Sequence, residues 1–582
     1  MAWLPQVCGQ GDHPALYLDS RVFERALEAV PALEDGPTRT VTGIVVPHHL
    51  VAADLMVLGF RAAAGREIRR ILLLTPDHFK RSPAPVATTR RGFETIWGRV
   101  ETDSAAVESL LAGDIAISES SLFDKEHGVH TLTPFIARLF PEALIVPVAL
   151  RVDSKPEDWE PLIEALPAVV DEFTLIVQST DFSHYLDARR ARRCDQETLA
   201  VLAAGDPAGV LKLRQPAHLD SRAAQYVHLM LQRRLGNSGH VVLANRNSQD
   251  YSPLHQNRTT SYVVQVFEEE PGPGWPLRKG EEVWYFAGDT FFGRRVFPAL
   301  SRPERATEVI GRVREITRGA PLVVNLEGVM VPRVERPKAQ RPLAMDEAFA
   351  LKHLKDLGVR AVSLANNHAL DLGRSARDHA SSLLKEQGIE PLHHGEWLDL
   401  GRFRMTGLTD ICNESAPRFN RLREEEVSAV MAAAGNDKPA FVFVHWGEEW
   451  QPRMTPRQEA VLRWLCAPAG GGVMTGEQGE MTVQPRPSGL ALVLGSHPHV
   501  ASRGLEVHGP ERVLAAPSLG NLIFDQPRGD GALVEVRFFP GGTHAVRWIP
   551  LGNVLSGNRG RAAHSNSSST KPFSQENPAG TR

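Results

Sequence analysis

The chain has 582 residues, which is long enough for two or more domains that each bury a core of their own. Hydrophobic residues make up 42% and charged residues 23%, values that are ordinary for a folded globular protein and exclude a disordered or collagen-like chain. The formal net charge of -4 excludes the overall basic excess that is common in proteins that bind nucleic acid through its phosphates.

The four cysteines, Cys8, Cys194, Cys412 and Cys466, lie far apart and include no C-x-x-C pair. This spacing argues against a disulfide framework and against a zinc site built from cysteine. The first residues lack the basic and apolar regions of a secretory signal, and no later window reaches about 18 uninterrupted apolar residues. We therefore expect a cytoplasmic protein without a membrane anchor.

Both halves of the sequence alternate short apolar runs with helical segments, which is typical of an α/β fold. In the first half, several apolar runs end in side chains that can bind a metal or transfer a proton. These are His48, His49, His78, Asp181 and His184. The segment KEHGVH adds His127 and His130 just before a predicted helix. Histidine in a loop is commonly only solvated, so these residues leave open a metal site, an acid–base site and a solvated surface.

A change of composition divides the chain near its middle. The segment FEEEPGPGWPLRKGEE places acidic residues, prolines and glycines between two strand-like runs, which is typical of a linker. The predicted division is 1–267 and 281–552 for two folded units, 268–280 for the linker and 553–582 for a disordered tail. A Gly-rich stretch at 468–489 is predicted to be a surface insertion. We expect few core contacts across the linker.

Polar residues follow five apolar runs of the second half. They are Asp289, Asn325, Glu327, Asn366, Asn367, His368, His445, His497 and His499. In α/β folds the carboxyl ends of parallel strands open onto one crevice, so residues distant in sequence can meet there. Each alone has an ordinary alternative, since Asp289 can be a turn residue, the asparagines can cap a helix and His445 can belong to the core. Their joint occurrence favours a site for Mn, Fe, Zn or Mg.

The ordered set GD, NLE, NNHALD, HWGEEW, GSHPH and PSLGNLIFD resembles the CapA family, which is named for poly-γ-glutamate capsule synthesis and is similar to calcineurin-like metallophosphoesterases. The resemblance implies an α/β/β/α sandwich that holds two Mn, Fe or Zn ions. The implied metal ligands are Asp289, Glu327, Asn367, His445, His497 and His499. It also implies that His368 protonates a leaving oxygen and that the SLGN segment, 518–521, shapes the rim of the site.

In the first half, the ordered set VPHH, TPDHF, EHGVHTLTPF, IVPVAL and STDFSHY resembles the Memo family, also called AmmeMemoRadiSam system protein B. The resemblance implies a three-layer α/β fold similar to class III extradiol dioxygenases, with His48 and His78 at a metal. Asp181 and His184 would lie beside it as candidate catalytic residues. The family's third ligand is a cysteine, but here the equivalent stretch HLDSRAAQYVHLML places Asp220 at that position. We therefore expect His48, His78 and Asp220 to bind one Fe or Mn in preference to copper.

Together, these features predict a two-domain metal-dependent protein in which a CapA-like phosphoesterase, or a related hydrolase, is fused to a Memo-like metal-binding domain. One alternative is that the Memo-like half is a non-catalytic module that binds partners in a radical-SAM-linked modification system. The partners would then be radical SAM and AMMECR-type proteins. Another alternative is a role in capsule synthesis, against which the expected lack of a membrane anchor argues. No Walker A loop, GxGxxG fingerprint or nucleophile elbow favours a nucleotide-binding or serine-hydrolase function.

Overall fold

The structure is a computed structural model that describes residues 11–32, 40–334, 342–412, 421–435, 437–467, 489–526 and 529–555. The predicted insertion at 468–489 lies outside the described residues except for its last position. The predicted tail lies outside them from residue 556 onward. No helix within the described ranges is both long and apolar enough to cross a membrane.

The first half contains eleven strands and nine α-helices in the described residues. The strands are β1 (Val41–Val46), β2 (Arg70–Asp77), β3 (Val86–Thr88), β4 (Phe93–Thr95), β5 (Gly98–Val100), β6 (Ile117–Glu119), β7 (Leu144–Arg151), β8 (Thr174–Ser179), β9 (His184–Leu186), β10 (Gly239–Asn247) and β11 (Thr259–Glu268). The helices are α1 (Ser20–Ala29), α2 (Ala53–Ala63), α3 (Ser104–Ala112), α4 (His127–His130), α5 (Thr133–Leu139), α6 (Pro156–Ala165), α7 (Ala188–Ala204), α8 (Pro207–Leu211) and α9 (Arg222–Arg234).

A nine-stranded mixed sheet with the order β10-β11-β1-β8-β2-β7-β3-β6 forms the centre of this half, and β9 pairs with β11. Its central strands β1, β8, β2 and β7 are parallel. Alternate residues of β2 point to opposite faces of the sheet. Leu73 packs on one face with residues of α1, α2 and α5, and Leu72 packs on the other face with residues of α3, α6 and α9. The predicted three-layer α/β arrangement is confirmed.

The second half contains fifteen strands and six α-helices in the described residues. The strands are β12 (Glu282–Thr290), β13 (Leu322–Leu326), β14 (Val329–Val331), β15 (Ala344–Asp346), β16 (Val359–Ser363), β17 (Glu390–Leu392), β18 (Trp397–Asp399), β19 (Arg404–Thr409), β20 (Ala440–His445), β21 (Leu490–Ser496), β22 (Glu506–His508), β23 (Val513–Ala516), β24 (Asn521–Ile523), β25 (Gly531–Phe538) and β26 (His544–Gly552). The helices are α10 (Val296–Leu300), α11 (Pro303–Thr317), α12 (Glu347–Leu357), α13 (Gly373–Glu386), α14 (Glu424–Ala432) and α15 (Pro456–Cys466).

Two sheets face each other in this half. One has the order β17-β16-β13-β12-β25-β26, with β24 on β12, and the other has the order β18-β19-β20-β21-β23-β22. Phe286 and Val534 of the first sheet meet Phe441 and Leu492 of the second in a shared core. Helices α11, α12 and α13 cover the outer face of the first sheet, and α14 and α15 cover that of the second. The predicted α/β/β/α sandwich is therefore confirmed.

The segment between the halves is packed against both of them. Trp275 is only 7% exposed and belongs to the core of the first half, and its indole N–H donates to Glu268 at 3.1 Å. Arg537, from β25, donates to the carbonyl oxygen of Trp275 at 2.8 Å. The aromatic residue in this Pro/Gly-rich stretch thus anchors it instead of leaving it solvated.

Helix α7 of the first half packs on the second half. Ala200 and Ala203 lie in the same buried cluster as Trp284, and Leu199 shares another with Phe539. The expectation that few core contacts cross the linker is therefore wrong. The physical reason is that α7 buries apolar residues on more than one side, so it contributes to the cores of both halves.

A buried network of ion pairs also connects the first half of the chain to the second. The Arg547 guanidinium lies 2.8 Å from Glu268 and 3.5 Å from Glu535, and the Arg537 guanidinium lies 3.0 Å from Glu281. All five side chains are 3% exposed or less. Buried charges are costly unless they are paired, so the network fixes how the end of β11 meets β25 and β26.

Removing one member of this network should destabilise the whole chain. We expect Arg547→Leu to lower the free energy of unfolding by about 3–5 kcal/mol, because it removes a buried positive charge that faces the carboxylates of Glu268 and Glu535. Arg21→Leu is the control, since Arg21 is 75% exposed and should change the value by less than about 0.5 kcal/mol. Urea denaturation measures both. Equal stability of the two variants would contradict a structural role for the network.

Candidate functional site

Two buried carboxylates form the centre of the site in the second half. Asp289 lies near the end of β12, and Glu327 follows β13, which runs parallel to β12 with Asn325 opposite Asp289. Both carboxylate residues are 1% exposed or less. Since the carboxyl ends of parallel strands lie at one edge of a sheet, the strand pairing brings the two acids together.

The facing sheet supplies three histidines to the same place. His445 ends β20 opposite Ser496 of the parallel strand β21, and His497 and His499 follow β21. The Nδ1 atom of His499 lies 3.1 Å from Asp289 Oδ2, and Nε2 of His445 lies 3.9 Å from Glu327 Oε1. The site is thus built across the two sheets of the sandwich.

The possible ligand atoms form two groups that share one residue. Glu327, His445 and His497 form one group, and Asp289, Glu327 and His499 form the other. Within each group the ligand atoms lie within 4.8 Å of one another. The shared Glu327 carboxylate suits two neighbouring cations, because its two oxygens can serve one ion each.

Two buried side-chain atoms of the site have no hydrogen-bond partner in the described part of the chain, which also fits a bound cation. Among the described residues, Glu327 Oε2 and His497 Nδ1 have no hydrogen-bond partner, although both atoms are buried. A buried polar atom without a partner costs free energy, and a divalent cation would satisfy both atoms. The mixture of carboxylate and imidazole donors is the one that Mn, Fe and Zn accept.

The electrostatics of the site reflect its burial. Burial raises the pKa of Glu327 well above its usual range, and the negative charge of Asp289 raises it further. Burial lowers the pKa of His497 to about 4. Burial also opposes protonation of His499, but the charges of Glu327 and Asp289 outweigh it and raise the pKa of His499 to about 10. A cation that binds here replaces protons, so binding is coupled to proton release.

Further polar groups hold the ligands in place. The Asn325 amide donates to Asp289 Oδ1 at 2.8 Å, and His445 Nδ1 is hydrogen-bonded to Ser496 Oγ at 3.0 Å. Asn521 Oδ1 lies 2.9 Å from His499 Nδ1, so the last residue of the SLGN segment is a buried partner of a ligand, deeper than the rim position expected for it. Such outer partners fix the orientation of metal ligands.

The NNHALD segment approaches the same centre after β16. Asn367 Oδ1 lies 2.8 Å from His445 Nε2, which places the expected amide ligand among the others. His368 Nδ1 is hydrogen-bonded to Asp371 Oδ2 at 2.9 Å, and its Nε2 lies 3.9 Å from Glu327 Oε1. The sequence analysis gave Asp371 no role, although its position three residues after His368 was a usable signal.

A second cluster lies at the edge of the sheet in the first half. His48 follows β1, His78 follows β2 and His127 begins α4. The ring centroids of His78 and His127 are 4.2 Å apart, and that of His48 lies 4.9 Å from each. The three imidazoles form a group that can hold a metal ion. The sequence analysis noted His127 but did not include it among the ligands.

Asp220 lies in this cluster, as expected. Its Oδ2 atom is 3.2 Å from His48 Nε2 and 3.5 Å from His78 Nε2. Its Oδ1 atom is buried and has no hydrogen-bond partner within the described part of the chain. The structure therefore brings together the three predicted ligands and leaves one carboxylate oxygen available for a cation.

Asp181 and His184 occupy different positions relative to this cluster. Asp181 Oδ2 lies 3.7 Å from His48 Nε2, and its Oδ1 accepts from the backbone N–H of His48 at 3.1 Å. The ring of His184 is hydrogen-bonded to the backbone of Phe182, and His184 is not part of the ligand group formed by the three imidazoles. Asp181 is thus in direct reach of a ligand, whereas the contact of His184 is local.

The sequence analysis did not identify Glu126, which orients His78. Its carboxylate lies 2.7 Å from His78 Nδ1. Burial opposes protonation of His78, but the hydrogen bonds that its ring donates to Asp220 and Glu126 outweigh it and raise the pKa of His78 to about 10. Burial lowers the pKa of the neighbouring His127 to about 4. The acidic residue directly before His127 in KEHGVH was the available signal.

Comparison with known proteins assigns each half to a family. A family model described as "Memo-like protein" matches residues 17–264. A "MEMO1 family protein" of Thermotoga maritima is 30% identical over 198 residues, which cover 33% of this chain and 70% of that protein. A second model, "Bacterial capsule synthesis protein PGA_cap", matches residues 284–399 and 404–526. The chain therefore belongs to the Memo family through its first half, and its second half matches the PGA_cap model.

Relatives of the PGA_cap half are more distant. The "Capsule biosynthesis protein CapA" of Bacillus anthracis is 25% identical over 232 residues, which cover 36% of this chain and 51% of that protein. The "PGA biosynthesis protein CapA" of Bacillus subtilis is 23% identical over 290 residues, which cover 46% of this chain and 70% of that protein. This chain thus spans about half the length of the Bacillus anthracis relative.

Replacing Asp220 should change which metal the Memo-like half prefers. A carboxylate is a hard ligand and a thiolate a soft one, so the unaltered chain should prefer Fe(II) or Mn, and Asp220→Cys should shift the preference toward Cu(I) or Zn. Competitive metal loading followed by elemental analysis measures this. The double substitution His497→Ala/His499→Ala serves as the background, so that the PGA_cap half contributes less metal.

His48→Ala in the same background is the control and should lose the metal whichever residue stands at position 220. If the unaltered chain binds copper as tightly as Asp220→Cys does, Asp220 is not a ligand.

Proposed function

We propose that the PGA_cap half is a two-metal phosphoester hydrolase and that the Memo-like half holds one further metal ion. The observation that carries the first part is the Glu327 carboxylate, which belongs to both ligand groups of a buried site. Asp289, Glu327 and His499 would hold one cation, and Glu327, His445 and His497, with Asn367 beside them, would hold the other. Two adjacent cations supply positive charge that stabilises a phosphoryl group during displacement.

The burial of the site supports this chemistry. Asp289, His445 and His499 are already held by hydrogen bonds to neighbouring side chains, so little reorganisation of these three groups is needed when a substrate binds. Charges that are fixed in a water-poor site interact more strongly with a developing charge than the same groups do in water. A phosphoester, whose oxygens gain negative charge in the transition state, is the class of substrate that benefits.

His368 has the geometry of a proton donor to the leaving oxygen. Its Nδ1 is occupied by the Asp371 carboxylate, which leaves Nε2 directed toward the ligand groups. An imidazole held in this way can give its Nε2 proton to an oxygen as the bond to phosphorus breaks. The Asp371 carboxylate orients the ring by this hydrogen bond.

In the Memo-like half, His48, His78 and Asp220 would hold the cation, and His127 adds a third imidazole, and so a fourth donor, beside them. The Asp181 carboxylate lies next to this set and is the better placed of the two predicted catalytic residues to exchange a proton with a bound molecule.

Removing His368 should slow hydrolysis in a way that depends on the leaving group. We expect His368→Ala to lower kcat by about 10²–10⁴-fold with a phenyl phosphodiester, whose leaving oxygen needs a proton. The loss should be smaller with the p-nitrophenyl ester, because p-nitrophenolate leaves without protonation. Steady-state kinetics with both esters measures the two losses.

Two controls accompany this variant. Elemental analysis should show that His368→Ala keeps the metal content of the unaltered chain, whereas His497→Ala should lose metal. Asp371→Asn should reproduce the leaving-group dependence with a smaller loss. An equal loss on both esters would show that His368 does not protonate the leaving oxygen.

A further inference from the structure

Left-handed backbone at residues other than glycine is concentrated near the two candidate sites. In the described residues it occurs at Lys80 and Tyr185, close to the predicted residues of the Memo-like site, and at Arg294, Trp450, His497 and His499 in the PGA_cap half, besides Arg318 and Arg512. Such a conformation costs a bulky side chain free energy, and it persists where the surrounding structure imposes it. His497 and His499 belong to the two groups of side chains that could hold a metal ion.

Trp450 is the largest of these side chains, with φ at 68°. Its backbone N–H donates at 2.8 Å to the carbonyl oxygen of Pro498, which lies between the ligands His497 and His499. The indole ring centroid is 6.1 Å from that of His499, and the ring planes are inclined by 42°. This hydrogen bond attaches the backbone of Trp450 to the loop that carries His497 and His499.

Trp450 as a whole residue is also 42% exposed. A tryptophan in the core repays an unfavourable backbone by burying its large apolar surface, but Trp450 keeps much of that surface in solvent. It therefore combines a strained backbone with an exposed ring beside the metal ligands. A substrate that covers the exposed face of the ring when it binds would explain both the strained backbone and the exposure of Trp450.

We propose that Trp450 determines substrate specificity by stacking on a planar ring of the substrate next to the scissile phosphoester. This inference rests on the hydrolase function proposed above. Glu448 and Glu449 precede Trp450 and are exposed. Their charges and the negative face of the indole disfavour a second anionic group at this position. The substrate class is thus a phosphoester whose alcohol carries a neutral or positively charged planar ring, as a nucleoside does.

Binding of AMP and ribose 5-phosphate to the full chain loaded with Mn tests the proposal by calorimetry. The two molecules share the phosphate and the ribose, and only AMP carries a ring that can stack. We expect AMP to bind about tenfold or more tightly than ribose 5-phosphate, which is the range for stacking of one base on an aromatic side chain. Trp450→Leu should bring the ratio of the two dissociation constants close to one, and Trp450→Phe should retain most of it.

Two further variants separate specificity from structure. Trp450→Gly should bring the ratio of the two dissociation constants close to one. Its melting temperature should be unchanged or higher, because glycine adopts the left-handed conformation without strain. Phe297→Leu, which alters another exposed aromatic side chain of the same half, should keep the ratio of the unaltered chain. A large fall in melting temperature with Trp450→Gly would show that the residue is retained for structure and would overturn the proposal.

The remaining outcomes separate this proposal from the proposed function. If the unaltered chain hydrolyses p-nitrophenyl phosphoesters but binds AMP and ribose 5-phosphate equally, the stacking role is wrong and the hydrolase function stands. If Trp450→Leu keeps the preference for AMP, another residue contacts the ring and the assignment to Trp450 is wrong. If neither phosphate binds the Mn-loaded chain and no ester is hydrolysed, both proposals fail.

Discussion

The burial of Asp289 and Glu327 side by side is the constraint on which the PGA_cap half depends. Two carboxylates without solvent repel each other and lose hydration, so the fold must supply compensation. The parallel pairing of β12 and β13 forces the two acids together, and the facing sheet brings His445, His497 and His499 to them. In the proposed phosphoester hydrolase, a pair of divalent cations would supply this compensation, and the oxygen and nitrogen donors of the site fit them.

The Memo-like half also buries a carboxylate at its candidate metal site. The buried carboxylate of Asp220 lies among imidazoles at the edge of a mixed sheet, and one of its oxygens has no partner in the described residues. The two sites are held in one body by α7, by Trp275 and by the buried ion network around Arg547. The two halves are therefore packed against each other and are not joined by a flexible tether alone.

The sequence predicted the fold layers and most candidate ligands because parallel strands collect the residues that follow them at one edge of a sheet. That rule places His48, His78, Asp289, Glu327 and His445 without knowledge of distances. It does not identify His127, which reaches its site from the short helix α4, or Asp371 and Glu126, which act through a neighbouring histidine. It also does not predict the interface between the two halves. Charged residues such as Arg547 and Glu268 are usually exposed, and the sequence of α7 does not show that the helix packs on two sides.

The most direct test of the two-cation site is the anomalous scattering of crystals of the full chain soaked in Mn²⁺. Two peaks about 3.5–4 Å apart, one on each side of the Glu327 carboxylate, are expected, because two-metal sites have that separation. The same soak of Glu327→Gln should lose at least one of them. A single peak, or none within coordination distance of Glu327 in the unaltered chain, would contradict the two-cation site.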